Sequence, residues 1–259
     1  MTYEQMLDIA MAQSAVDSSC EKSDFVSGMC KTVISKASPY ARKYLKLPFV
    51  ADITTYGNGV VASVSEDFFN ITDKYIRSYT PYHLFETPNM HVFSAELRKK
   101  NADVCFMAEY WLPGKENIPL CECDFTLRVL SPSDFKDLYL PQWSNALCRD
   151  RAELDRIAVG AYDKNGMLVG LAGASADCET MWQIGIDVLC DFRRKGIASA
   201  LTARISREIL HLGKVPFYCC AWSNIASARN AVKSGFVPAW VQITAKSLET
   251  VESFNAVPV

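Results

Sequence analysis

The stretch Asp187-Val-Leu-Cys-Asp-Phe-Arg-Arg-Lys-Gly-Ile-Ala-Ser199 decides how the rest of this chain is read. An apolar strand ends at Val188, a loop rich in Arg, Lys and Gly follows, and an amphipathic helix begins directly after it. That order builds an anion site. The first N–H groups of a helix have no partner within it, and the helix dipole makes that end locally positive. Gly196 lets an anionic oxygen approach the main chain, while Arg193, Arg194 and Lys195 add formal charge. The amides between Arg194 and Ser199, those of Ile197 and Ala198 included, are the expected diphosphate cradle. Taken alone, a basic Gly turn before a surface helix is common, and the plain alternative is a solvated turn.

The surroundings sharpen this reading. The helix places Ile197, Ala200, Leu201, Ile205, Ile209 and Leu212 at helical spacing. Gly213 stops it and Pro216 follows. A second apolar run, Val215 to Trp222, leads to Ser223-Asn224, an N-cap pair, and a short helix ends at Gly235-Phe236.

Strand, basic Gly turn, helix, strand, Asn-headed helix and Gly-Phe together resemble the GNAT superfamily of acyl-CoA-dependent N-acyltransferases. The family's pyrophosphate loop, Gln/Arg-x-x-Gly-x-Gly/Ala, is matched by Arg193, Gly196 and Ala198, with Val188 at the end of the family's fourth strand. Its second segment, Asn-x-x-Ala/Ser followed by a helix and Gly-Phe, is matched by Asn224, Ser227, Gly235 and Phe236. The resemblance covers about 125–246. It implies acetyl-CoA as cosubstrate, an amine acceptor (small molecule or peptide), and a fold of the α/β (α+β) class. That fold is a mixed, twisted sheet with helices on both faces. Two departures stand out. The family tyrosine thought to protonate the departing thiolate is replaced by Ala231, and the strand Met181–Val188 has no Glu of the kind that serves some members as base.

A chain of 259 residues with 49% hydrophobic and 22% charged content holds one large or two modest soluble domains. A net charge of −2 leaves no basic footprint for nucleic acid. No apolar run is long enough to span a membrane, and acids stand near the N-terminus where a signal peptide carries bases. A cytoplasmic location is expected. The 10 cysteines include no Cys-x-x-Cys pair. They read as reduced, small apolar residues, and no metal is expected.

Along the chain, Tyr3 to about Asp17 reads as a helix, Ser23-Asp24 caps a short one, and Ser38-Pro39 opens another that ends before Pro48. Gly57-Asn58-Gly59 joins two β-rich runs as a hairpin. Ser65 heads a helix to about Tyr79, Pro81 and Pro88 mark a loop, and 104–112 is a strand. The turn-rich stretch 113–119 suggests a boundary. It divides a smaller N-terminal α/β domain, 1–118, read as a degenerate copy of the same fold, from a GNAT domain, 119–259. In the second half the expectation is strand 123–130, helices at 131–139 and 145–154, a hairpin of 157–162 with 168–175, and strand 182–188.

The pantetheine arm is expected to pair with the main chain from Ile186 to Val188, as an added strand would. That requires the strands 182–188 and 215–222 to splay apart. Asn224 lies at the mouth of the gap, and the Val188 amide is a candidate oxyanion donor. Asp187, a carboxylate within an apolar strand, is a candidate base, or else a paired structural group. Tyr218 is a candidate acid, or else a core aromatic. Glu179 is a further base candidate, or a solvated turn residue. Two functions follow: an active N-acetyltransferase, or a catalytically impaired acyl-CoA-binding regulatory module. A P-loop nucleotide site is disfavoured, since Gly-x-x-x-x-Gly-Lys-Ser/Thr is missing.

Overall fold

The computed structural model describes residues 1–114 and 118–256. Its strands are β1 (Cys30–Ile34), β2 (Ala51–Thr55), β3 (Val60–Val64), β4 (Ala102–Pro113), β5 (Thr126–Leu130), β6 (Asp155–Tyr162), β7 (Leu168–Ser175), β8 (Met181–Val188), β9 (Val215–Ala221) and β10 (Phe236–Ser247). Its α-helices are α1 (Tyr3–Ser18), α2 (Phe69–Ser78), α3 (Pro81–Leu84), α4 (Thr87–Arg98), α5 (Pro132–Phe135), α6 (Ile197–His211), α7 (Ile225–Lys233) and α8 (Leu248–Asn255). Of the expected boundary at 113–119, residues 115–117 lie outside the described residues. The sequence predicts one cut after 118. Contacts instead define two units that are each discontinuous, Met1–Ala10 with Tyr110–Pro238, and Met11–Glu109 with Ala239–Val259.

In the unit that holds residues 11–109, the strand order is β1-β3-β2-β10. The Gly57–Gly59 hairpin forms as expected, pairing Ala51 to Thr55 antiparallel with Val64 to Val60. β1, which sequence periodicity does not reveal, pairs parallel to β3. The helix expected from Ser38-Pro39 is absent: residues 38–49 run as turns and bends. Arg42 explains the difference, because its backbone N–H and its Nε both donate to Asp17, at 2.9 and 2.5 Å. Pro81 and Pro88 do not mark a loop. They occupy the first turns of α3 and α4, where a missing N–H costs nothing. Ser65 precedes a 3-10 turn but makes no side-chain cap. Its hydroxyl donates to the Val50 carbonyl instead, at 3.4 Å. The turn after β3 carries Glu66 and Asp67, so it repels the anions that the turn after β8 would attract.

This unit also buries a carboxylate. Asp52 is 1% exposed and accepts hydrogen bonds from the Thr54 hydroxyl (3.1 Å), Gln242 Nε2 (2.7 Å) and the Thr244 hydroxyl (2.7 Å). Burial pushes its pKa up to about 6, against the pull of these three donors and of the Arg42 charge. The folded form therefore holds the Asp52 proton more tightly than the unfolded chain does. The resulting stability is full below the ordinary carboxylate range and is lost as pH rises through about 6. Asp155, in the other unit, is displaced the same way and also to about 6. The Asp52→Asn variant is expected to show a flatter dependence of its urea midpoint on pH between about 5 and 7.5 than the wild type. An unchanged slope refutes this account of Asp52.

The unit that holds residues 110–238 contains the sheet order β9-β8-β7-β6-β5. Neighbours from β5 to β8 pair antiparallel, and β8 pairs parallel to β9. The mixed sheet is as expected. α6 packs on one face through Ile197, Leu201, Ile205 and Ile209, each at most 1% exposed. Burying each such side chain is worth roughly 1.5–3 kcal/mol, which places the start of α6 firmly at the end of β8. Leu212, expected on that face, is 54% exposed because it lies beyond the last helical turn. The opposite face carries α5 and the 141–154 segment. The helix expected at 145–154 is instead a turn at its start and a 3-10 stretch only over Arg149–Leu154, which Arg151 breaks at φ −140°; a separate 3-10 turn, Pro141–Trp143, precedes it.

Candidate anion turn and strand gap

β8 has two neighbours at its start and one at its end. Its ladder with β7 runs from Gln183 to Val188, and the Leu189 amide continues it by donating to the Val169 carbonyl. Its ladder with β9 joins only Met181, Trp182 and Gln183 to Val215, Pro216 and Phe217. Pro216 has no N–H, which weakens this short ladder at its centre. From Ile184 onward no β8–β9 pairing continues among the described residues. The splay expected of these strands is therefore present, and it opens alongside Ile186, Asp187 and Val188.

The turn at the end of β8 is basic and exposed, and it runs straight into an uncapped helix. A 3-10 turn, Cys190–Phe192, leads into Arg193, Arg194 and Lys195, all exposed. Arg194 has φ +62°, a left-handed conformation that costs a non-glycine residue about 1–2 kcal/mol. Gly196 follows at φ +82° as the residue before α6, where no side chain caps the helix. The first bond of α6 joins the Ala200 amide to the Gly196 carbonyl, so the amides of Ile197, Ala198 and Ser199 precede the helical ladder. The Ser199 hydroxyl donates to the Gly196 carbonyl and fixes this turn. Arg193 Nε donates to the Val188 carbonyl at 3.1 Å, which ties the loop to the strand end. Lys195 lies 4.9 Å from the centre of the Phe192 ring. Strain at Arg194, followed by uncapped amides, is what an anion-binding concavity requires.

Several of the expected site residues already have partners in the fold. Asp187 is paired, the second of the two arrangements expected of it. Its Oδ2 accepts from the Asn145 and Ala146 amides, each at 2.9 Å, and its Oδ1 accepts from Asn145 Nδ2 at 2.6 Å. The carboxylate clamps the 145–146 backbone onto the sheet. Asp187→Ala is therefore expected to cost about 2–4 kcal/mol in urea unfolding, since it leaves three donors unpaired. A variant of full stability with a displaced pH–rate profile would instead restore Asp187 as the base.

Tyr218 is 6% exposed, and its hydroxyl lies 2.6 Å from the Ser227 hydroxyl. Burial raises its pKa above the ordinary tyrosine value, against hydrogen bonds from Ser227 and Asn230 that lower it. The hydroxyl pair ties Tyr218 to Ser227 at the start of α7. Asn224 caps α7 by accepting from the Ser227 amide at 3.1 Å. Asn230 links α7 to α6 by donating to the Thr202 hydroxyl at 2.8 Å. Ala231 is fully buried in the same apolar cluster as Tyr218. Glu179 is exposed, as a turn residue would be.

Sequence reasoning overlooked Asn145 and Gly185. A Cβ on Gly185 would lie 1.7 Å from the Asn145 carbonyl oxygen. An isolated glycine inside a strand is the available signal, since it marks a close backbone approach. Among the described residues no group of three His, Cys, Asp or Glu side chains gathers as a metal site, and no helix is long and apolar enough to cross a membrane.

No family model matches this chain, and no curated protein matches it. Solved structures do. A GCN5-related N-acetyltransferase from Sphaerobacter thermophilus aligns at 15% identity and TM-score 0.47, over 73% of this chain and 72% of that one. A GCN5-related N-acetyltransferase-like protein from Streptococcus suis aligns at 17% identity and TM-score 0.46, over 61% and 69%. A tandem GNAT protein from the clavulanic acid biosynthesis pathway aligns at 17% identity and TM-score 0.40, over 63% of this chain and 59% of its own. The likeness is one of fold. What the site does is read from its own residues.

Proposed function

We propose that this chain is an acyltransferase of the GNAT type, moving an acyl group from acyl-CoA, acetyl-CoA in the simplest case, to a primary amine. The observation that carries the reading is the divergence of β8 from β9 directly before an uncapped, basic, glycine-containing turn. A diphosphate fits the turn: Arg193 to Lys195 are exposed, and the amides of Ile197 to Ser199 are outside the helical ladder. An extended amide-bearing arm fits the gap, where β8 lacks a second neighbour.

When bound, acyl-CoA supplies a thioester carbonyl open to attack by an amine. The chain's part is to bind and orient. Arg193 holds the Val188 carbonyl, so the strand end beside the gap is fixed. The Val188 main-chain amide, which alternation points away from β7, is the local donor for a developing oxyanion. The clamp of Asp187 on Asn145 and Ala146 makes one wall rigid. With Asp187 and Tyr218 both engaged in the fold, water would carry the protons, and a thiol leaving group with a pKa near 8.5 tolerates this. The test is to follow free thiol with acetyl-CoA and a panel of primary amines. Thiol release that depends on an amine supports the transferase. Tight CoA binding with release no faster than background across the panel would favour the non-catalytic binding module, which the occupied Asp187 and the buried Ala231 also suit.

A further inference from the structure

The segment Pro119–Phe125 forms a wall beside the basic turn. Arg207 Nη1 donates to the Pro119 carbonyl at 3.2 Å, and the Cys121 thiol donates to the Lys233 carbonyl at 3.4 Å. A Cβ placed on Gly196 would stand 3.2 Å from the Glu122 carbonyl oxygen. α7 ends at the same place. It starts where β9 stops, and just past its last turn the Ser234 hydroxyl donates to the Ser199 carbonyl of α6, at 3.4 Å. The gap mouth, the basic turn, α7 and this wall therefore form one face. Its charge stands apart from the rest of the chain: residues 189–237 hold eight Lys and Arg against two acids, a net +6 in a chain of net −2. Its apolar side chains are exposed. α7 turns Ser227 and Asn230 inward, onto Tyr218 and Thr202. Ile225, Arg229 and Val232 then point outward at i, i+4 and i+7. Ile225 is 54% exposed, Val232 62%, and Leu120, between the two anchored residues of the wall, 81%. α7 contains no acid. Neither the Arg229 guanidinium nor the Lys233 ammonium has a partner among the described residues. A basic face with large aliphatic side chains left in water is the kind that a macromolecular partner covers.

We propose that this face docks an acidic carrier protein that presents the acyl group on its own 4′-phosphopantetheine arm, an inference that rests on the acyl-transfer reading of the turn and gap. The turn asks for a phosphate and the gap for an extended, amide-bearing arm, and a phosphopantetheine arm supplies both without a nucleotide. The protein joined to that arm then meets the rest of the face. Carboxylates on its surface pair with Arg229 and Lys233, and apolar side chains beside them cover Leu120, Ile225 and Val232. Other occupants fit less well. A second copy of this chain on a two-fold axis would set Arg229 and Lys233 against a like-charged face. A uniformly anionic lipid surface would meet Glu122 and Asp124, two exposed acids on the same wall. A patterned protein surface can place neutral or basic groups there. Nucleic acid binds through its phosphates and would leave the aliphatic side chains uncovered. The transfer is the one proposed for acyl-CoA. The amine nitrogen bonds to the acyl carbon, the carbon–sulfur bond breaks, and the thiol of the arm leaves with the proton that the amine gives up.

Calorimetry on the full chain tests this with four probes: an acyl carrier protein bearing its phosphopantetheine arm (holo), the same protein without the arm (apo), free 4′-phosphopantetheine, and CoA. The holo carrier is expected to bind about tenfold more tightly than free 4′-phosphopantetheine at about 50 mM salt, and to lose most of that advantage at about 500 mM. The apo carrier is expected to bind about tenfold more weakly than the holo form, because one of two linked contacts is missing. Arg229→Glu and Val232→Asp should each weaken the holo carrier about tenfold and leave CoA affinity within about twofold, which also shows that each variant is folded. Equal affinity of the wild type for the holo carrier and free 4′-phosphopantetheine would overturn the docking assignment and leave the turn and gap assignment standing. Equal losses of carrier and CoA affinity in the variants would do the same. So would binding to vesicles of phosphatidylglycerol and phosphatidylcholine that both variants abolish while carrier affinity stays unchanged. Failure of the wild type to bind either CoA or 4′-phosphopantetheine would overturn both assignments.

Discussion

Gly196→Glu is expected to reduce CoA affinity by about 100-fold or more while the chain remains folded. Three effects act together. Gly196 sits at φ +82°, where a residue with a side chain is strained by about 1–2 kcal/mol. Its open side lies 3.2 Å from the Glu122 carbonyl oxygen, so a new side chain must turn toward the amides of Ile197 to Ser199. A carboxylate there is favourable for the helix, since it complements the positive end of the dipole. It is unfavourable for the ligand, because it occupies the diphosphate's donors and repels its charge. Losing two charge-assisted hydrogen bonds at about 1.5–3 kcal/mol each accounts for the 100-fold figure. Arg194→Gly is the contrasting variant. Glycine accepts φ +62° without strain, so stability should hold and affinity should fall only by the lost charge, about tenfold at most. Calorimetry with CoA and a thermal melt of each variant decide the matter. Unchanged affinity in a folded Gly196→Glu protein would contradict the assignment.

The second large effect concerns stability. Gly185→Ala is expected to destabilise the chain by about 3–5 kcal/mol, measured as the urea midpoint of unfolding. The atoms nearest a new methyl group are all backbone: the Asn145 carbonyl oxygen at 1.7 Å, its carbon at 2.7 Å and Ala146 Cα at 3.4 Å. Backbone cannot rotate out of the way as a side chain can. The 145–146 segment must lift, and lifting it stretches the three bonds to Asp187. Gly160→Ala makes a fair control, because the new methyl there meets only the side chains of Leu168 and Tyr162, at 2.9 Å. Its cost should be about 1–2 kcal/mol. A loss below about 1 kcal/mol for Gly185→Ala would show that the segment yields more easily than its contacts imply.

Where the chain's own spacing sets the structure, the reading from residues holds. The α6 face, the Gly57–Gly59 hairpin and the strand–turn–helix order around Gly196 all rest on local signals, whereas the β8–β9 divergence is expected only from the resemblance. Where distant residues compete for the backbone, the reading fails. A helix over 145–154 would need the Cys148 amide for its first closed turn, but Asp155 claims it at 3.1 Å, and Arg151 then leaves the helical region at φ −140°. The Ser38–Pro39 helix loses to the buried Arg42–Asp17 pair in the same way, since 25 residues separate the partners. Asp187 shows the limit most clearly. Its place in an apolar strand is legible, but its clamp on the main chain depends on a loop 42 residues away. The Pro119–Phe125 wall leaves no local trace either, because it is held by Arg207 and Lys233 through the main chain.

The most direct test of the central claim is a crystal structure of this chain with acetyl-CoA. The account predicts the diphosphate within hydrogen-bond reach of the Ile197 to Ser199 amides, and the pantetheine arm extended along Ile186 to Val188 where β9 has turned away. Ligand density elsewhere on the chain, with the Gly196 turn contacting only protein and solvent, would contradict it.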